Sequence, residues 1–196
     1  DQTTREKGMR LAAQLALAKG VTTVHALEGA SWFGEENALF LWKNAASLPL
    51  RVVLYYQTTA VEQVLKLGLP RIGGCLLVDG SFGSRTAALS EPFADDPSTS
   101  GRLYFPDEEL ESFVVRAHRA GLQVALHCIG DRAIAQALRA YARALREYPR
   151  SDHRHRIEHC GVLDAHLIER IRRLEVIPVP QQPFISQLGD GFVRVL

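Results

Sequence analysis

The chain has 196 residues, 46% of them hydrophobic and 23% charged, with a formal net charge of +1 at neutral pH. That is enough chain for one sizeable core, and its charge balance gives no electrostatic reason to expect a nucleic acid as partner. Its apolar runs are strand-sized, too short to cross a bilayer, so no membrane partner is expected either.

From Thr4 to Lys19, Met9, Leu11, Leu15 and Leu17 recur among Arg, Lys and Gln, and Gly20 follows where a helix would end. Val21 to His25 is predicted as a buried strand. Glu35 to Ala46 is a predicted helix stopped before Pro49, and Leu50 to Tyr56 a strand. Val61 to Leu67 is a short helix closed by Gly68, and Ile72 to Val78 a third strand. Pro106 to Arg119 has Pro at its start, acids in its first turn and bases in its last, the charge order a helix favours. Leu122 to His127 is a fourth strand, Asp131 to Glu147 the longest helix, and His155 to His159 a fifth strand. Asp164 to Arg173 is a helix with Asp164 as N-cap, and Glu175 to Val179 a sixth strand.

Alternating helices and strands with short turns imply parallel βαβ units, in either an open doubly wound sheet or a (β/α) barrel. No strand–helix turn reads as a dinucleotide fingerprint or a P-loop. Polar residues instead close several strands: His25, Asp79, His127 and His159. A barrel builds its site there, so the fold class expected is α/β of the (β/α)8 TIM-barrel type. A complete barrel takes roughly 250 residues. Six strands predict an incomplete one over residues 1–196, with open sheet edges that favour self-association. Gly80 to Phe105 has little periodicity and is rich in Ser, Pro, Asp and Gly. Following a strand, it is expected to overhang the pocket.

His127 and His159 close consecutive predicted strands, where two rings can aim at one point, and imidazole is a common metal ligand. Cys128 and Cys160 directly follow them and should face the outer helices as small buried residues. If the alternate face of the third strand is the interior, Cys75 is a candidate thiolate ligand and Asp79 a carboxylate nearer the rim. Three widely spaced cysteines make no disulfide framework and favour a reducing, cytoplasmic compartment. The opening Asp1-Gln2-Thr3-Thr4 contains neither an initiating Met nor a signal peptide. His25 is a candidate for site or scaffold. His153 and His155 are expected in a solvated basic turn, and His118 and His166 on helix surfaces.

Five segments in order carry a family resemblance: Gly20 to His25, Asp79 to Leu89, His127 to Ile134, Arg156 to His159, and Gln182-Pro183. Together they resemble the amidohydrolase-3 branch of the metal-dependent amidohydrolase superfamily, which includes N-substituted formamide deformylases and exoenzyme regulatory proteins. The resemblance implies a distorted (β/α)8 barrel with one or two divalent metals, usually zinc, at its C-terminal rim. It makes His127 the fifth-strand ligand and His159 the sixth-strand ligand. Cys75 falls where many members place a carboxylated lysine that bridges two metals, and its shorter side chain favours a single metal. The family's first-strand His-x-His and eighth-strand Asp have no counterpart, so the six strands correspond to the second through seventh, a central piece of the barrel.

The function expected is hydrolysis of a linear or cyclic non-peptide C–N amide bond in a small-molecule substrate by a metal-activated water. His25, Asp79, Ser81 and Arg85 are the candidate substrate-binding residues. These residues alone are expected to be inactive. The alternative is a non-catalytic regulatory or small-ligand-binding α/β domain.

Overall fold

The structure, a computed structural model, describes residues 2–29 and 35–196. Helices and strands alternate as α1 (Gln2–Ala18), β1 (Thr23–Glu28), α2 (Glu35–Asn44), β2 (Arg51–Tyr56), α3 (Val61–Lys66), β3 (Arg71–Leu77), α4 (Asp107–Arg119), β4 (Gln123–Cys128), α5 (Asp131–Glu147), β5 (Arg156–His159), α6 (Ala165–Arg173), β6 (Ile177–Val179) and α7 (Pro183–Val195). All six strands are parallel and pair in chain order from β1 to β6. A doubly wound sheet reverses its strand order at a switch point, and this one does not. The result is a half-barrel, an incomplete (β/α)8 TIM barrel short of two strands.

The core lies between the sheet and its outer helices. Ile72, Val124, Leu126, Cys128 and Ile157 share it with Phe113 and Val114 of α4 and with Ile134, Leu138 and Tyr141 of α5. In α5 the buried residues Ala133, Ile134, Ala137, Leu138, Ala140, Tyr141 and Ala144 repeat at helical spacing. That apolar stripe seats the helix against β4, while Arg139 and Arg143 face acids on α4's side. Asp164 caps α6 by accepting from the Leu167 amide at 2.7 Å.

Three expectations need correction. β1 runs three residues past His25, so His25 lies within the strand. No element was expected after Val179, yet Pro183–Val195 is a helix whose Pro stands in its first turn, where a missing N–H does no harm. Val195 and Phe192 of this helix pack with Phe82, Ala87, Leu89 and Phe93 of the long loop, giving that loop a small apolar core of its own. Third, His118, His153 and His155 are buried at the N-terminal end of the sheet, not solvated. His166 is exposed.

Candidate metal centre

Neighbouring strands β3, β4 and β5 each bring one residue to the rim. β3 does so through an irregularity: Gly73 pairs with Ala125 and Leu77 with His127, so four steps of β3 span two of β4. Gly73 and Gly74 absorb the excess at φ 88° and 96°, which L side chains rarely adopt. A Cβ on Gly73 would stand 2.1 Å from the Ala125 carbonyl oxygen. Past the two glycines Leu76 and Val78 turn to the helix-side core, and Cys75 and Asp79 both come beside His127. Cys75 reaches the interior, with its Sγ 3.6 Å from His127 Nδ1.

His127 is buried, and its Nε2–H donates to the Gly80 carbonyl at 2.9 Å, which leaves Nδ1 facing the thiol. Burial, above all, pushes its pKa down to about 4. The ring is thus neutral and able to act as a ligand at neutral pH.

His159 comes to the same place by a backbone device. Ile157 points into the helix-side core, so an extended His159 would follow it there. Instead His159 has φ 71° and Cys160 φ 49°, two consecutive left-handed residues that turn the ring to the rim. Its ring centroid is 4.4 Å from that of His127, with the planes at 69°. Its Nδ1–H donates to Gln181 Oε1 at 2.6 Å.

The ligand atoms of Cys75, His127 and His159 all lie within 4.8 Å of one another. Tetrahedral zinc with one sulfur and nitrogen ligands holds its donors about 3.5 Å apart. Cys75 and His127 already stand at that spacing, and the remaining gaps close with a shift of about 1 Å. One thiol and two imidazoles fit a divalent ion. Burial, followed by the Glu158 charge, raises the Cys75 pKa, so the thiol gives up a proton when a metal takes the sulfur.

Asp79 is fully buried, and its carboxylate accepts the amides of Ala88 at 2.9 Å, Ile129 at 2.9 Å and Gly130 at 2.7 Å. Burial pushes its pKa up to about 6, against the downward pull of those bonds. It joins the long loop to the β4–α5 turn, and its Oδ1 stands 3.8 Å from His127 Nε2. Ser81 sits in the loop's first turn, its Oγ 2.9 Å from Ser84 Oγ. Arg85 pairs with Asp95 through two nitrogens and donates to the carbonyls of Phe82 and Gly83.

His25 lies away from the cluster, in the lower half of the concave face. There its Nδ1 accepts from Arg156, which also grips Glu158 through two bonds of 2.8 and 2.9 Å. The structure thus gathers Cys75, His127 and His159, sets Asp79 beside His127, puts Ser81 and Arg85 in the loop turn that follows Gly80, and bonds His25 to Arg156. Sequence reasoning missed Gln181. Its signal was its position immediately before Gln182-Pro183, at the end of a strand.

A parallel half-barrel with a Cys–His–His cluster at the C-terminal ends of its strands is the layout of a metal-dependent hydrolase. The amidohydrolase family model (Amidohydro_3) matches residues 1–193, and the chain belongs to that family. It is 35% identical to the Bacillus subtilis (strain 168) protein YtcJ, an amidohydrolase by name, over 86% of this chain and 33% of that protein. Crystal structures of metal-dependent hydrolases from Pyrococcus furiosus and Pyrococcus horikoshii OT3 superpose with TM-scores of 0.78 and 0.73 at 32% and 30% identity. These matches cover 95% and 94% of this chain, and 40% and 38% of the respective hydrolases. The chain therefore spans between a third and two fifths of the length of these relatives.

Proposed function

We propose that this chain supplies the metal-holding half of an enzyme that hydrolyses a non-peptide C–N amide bond, linear or cyclic, in a small molecule. The observation that carries the reading is the convergence of Cys75, His127 and His159 from three adjacent strands. When bound there, a divalent ion, zinc by the donor set, polarises a carbonyl and lowers the pKa of water towards about 7. The chain's own residues do the rest of the holding. Gly80 O keeps His127 turned, Asp79 fastens the loop above it, and the apolar core under Phe82 and Phe93 keeps that loop as a wall over the rim.

Moving the proton is another matter. Asp79 gives its oxygens to three backbone amides, and Glu158 is gripped by Arg156. Neither is placed as a general base, and the family resemblance puts that group, an Asp, on the eighth strand of a complete barrel. Loss of a general base alone slows such reactions by about 10²–10⁴-fold.

The test joins metal analysis to turnover. The chain should bind zinc weakly and release it on dialysis against a chelator, with binding lost in His127→Ala and His159→Ala. It should not measurably hydrolyse N-formyl amines, hydantoins or N-acyl amino acids, whereas a protein with the complete barrel should turn over at least one of these. Zinc binding that is absent, or unchanged in His127→Ala and His159→Ala, would overturn the metal-site reading. Tight zinc at one per chain would overturn only the expected weakness, and turnover by these residues that chelator abolishes and zinc restores would overturn the expected inactivity.

A further inference from the structure

Two histidines in the cluster face opposite demands, and only one is held by backbone. His127 is oriented by the Gly80 carbonyl, fixed in turn by the loop. His159 sits on a left-handed backbone at the end of its strand, followed by another left-handed residue, so regular strand pairing does not hold its ring. The ring's hydrogen-bonding partner is the amide of Gln181, two residues beyond β6.

The direction of that bond is determined. Gln181 Nε2 donates to the Val179 carbonyl at 3.0 Å, so the amide's oxygen is the atom turned to His159. An amide oxygen can only accept, so His159 carries its proton on Nδ1 and presents Nε2 bare. We propose that Gln181 is the positioning residue of the centre: it selects the Nδ1–H tautomer of His159 and aims Nε2 at the ion. The role rests on the metal-site reading. It makes β6 an active partner of the site, because the carbonyl that orients Gln181 belongs to that strand's last residue.

The tautomer can be read without metal. Long-range nitrogen–proton NMR at mildly alkaline pH should show His159 as Nδ1–H in the wild-type chain. Gln181→Leu should shift it towards Nε2–H, the form that free imidazole side chains favour, and Gln181→Glu, which keeps an acceptor oxygen, should restore Nδ1–H. A purely structural role for Gln181 would leave that signature unmoved.

Cobalt(II) titration, followed by the thiolate-to-cobalt absorption of Cys75, gives the second readout. Gln181→Leu should weaken binding about 10–100-fold, the range for loss of a ligand's orienting partner, with Gln181→Glu near wild type. Wild-type His159 as Nε2–H overturns the proposal even if Gln181→Leu does not fold. So does a tautomer or cobalt affinity that Gln181→Leu leaves unchanged. A wild-type chain with no thiolate–cobalt band brings down the metal-site reading instead, and the NMR result then decides the role of Gln181 alone.

Discussion

At the N-terminal end of the sheet, His118, His153 and His155 commit all six of their ring nitrogens to hydrogen bonds. At the C-terminal end, His127 and His159 each use one nitrogen to set the ring and leave the other toward a shared space. In the lower cluster the Val124 amide donates to His155 Nδ1, so His155 Nε2–H donates to His118 Nδ1 at 2.8 Å, and His118 Nε2–H donates to the Tyr148 carbonyl. His153 accepts from the His155 amide and donates to the Leu174 carbonyl at 2.9 Å. Three helix and loop segments are fastened to the sheet this way. What separates a staple from a site is how many ring nitrogens the fold has already satisfied.

The sharpest test of that contrast is stability. His155→Ala removes a fully buried ring stacked on Tyr141 at 4.9 Å between centroids, and orphans the Val124 amide. Cavity and unsatisfied donor together should cost about 3 kcal/mol in denaturant unfolding. His127→Ala in the metal-free chain also removes a buried ring, but it leaves only the Gly80 carbonyl without its donor and should cost less, about 2 kcal/mol. Equal losses at the two ends would erase the distinction.

Gly73→Ala asks whether the rim depends on the β3 bulge. Ala at φ 88° is strained, and its Cβ would press on the Ala125 carbonyl, so a loss of about 2 kcal/mol is expected. Cobalt affinity should fall with it, because Cys75 lies two residues on. A stable variant with wild-type cobalt binding would mean that the bulge does not place the thiol.

Most of the half-barrel was legible because its signals are local: β-branched runs, a C′ glycine after α1, the charge order of α4, the Asp164 cap. The rim histidines were legible because a strand's end is easy to see. Less legible was anything fixed by distant partners. His155 reads as polar in a basic turn, yet it is buried because α4 and β4, more than thirty residues earlier, meet its ring. The left-handed turn at His159 has no glycine to announce it, and alternation alone would have aimed that ring into the core. The helix α7 does carry Phe184, Leu188, Phe192 and Val195 at helical spacing, but Gly189 and Gly191, poor helix formers, interrupt the signal.

The smallest expected effect is the pH dependence of the staple. Burial, followed by the charges of His153, His118 and Arg150, holds His155 far below its ordinary 6.5, at about 2. Burial likewise lowers His118 and His153, against their carbonyl partners; Arg150 lowers both, and Glu175 raises His153. Tyr141, the other titratable group against the His155 ring, has its pKa raised far above this range by burial. A depressed native pKa means that the unfolded chain binds the proton first as pH falls, so the stability present above about 6.5 declines below it. Between pH 6.5 and 5.5, His155 alone should remove about 1 kcal/mol. His127, lowered to about 4, adds to the decline, and Asp79, raised to about 6, opposes it, so the share of His155 must come from a difference. His155→Gln keeps an acceptor for the Val124 amide and cannot titrate. Unfolding midpoints for the two proteins should converge as pH falls from 7.5 to 5.5, and parallel midpoints would show that the ring is protonated as readily folded as unfolded.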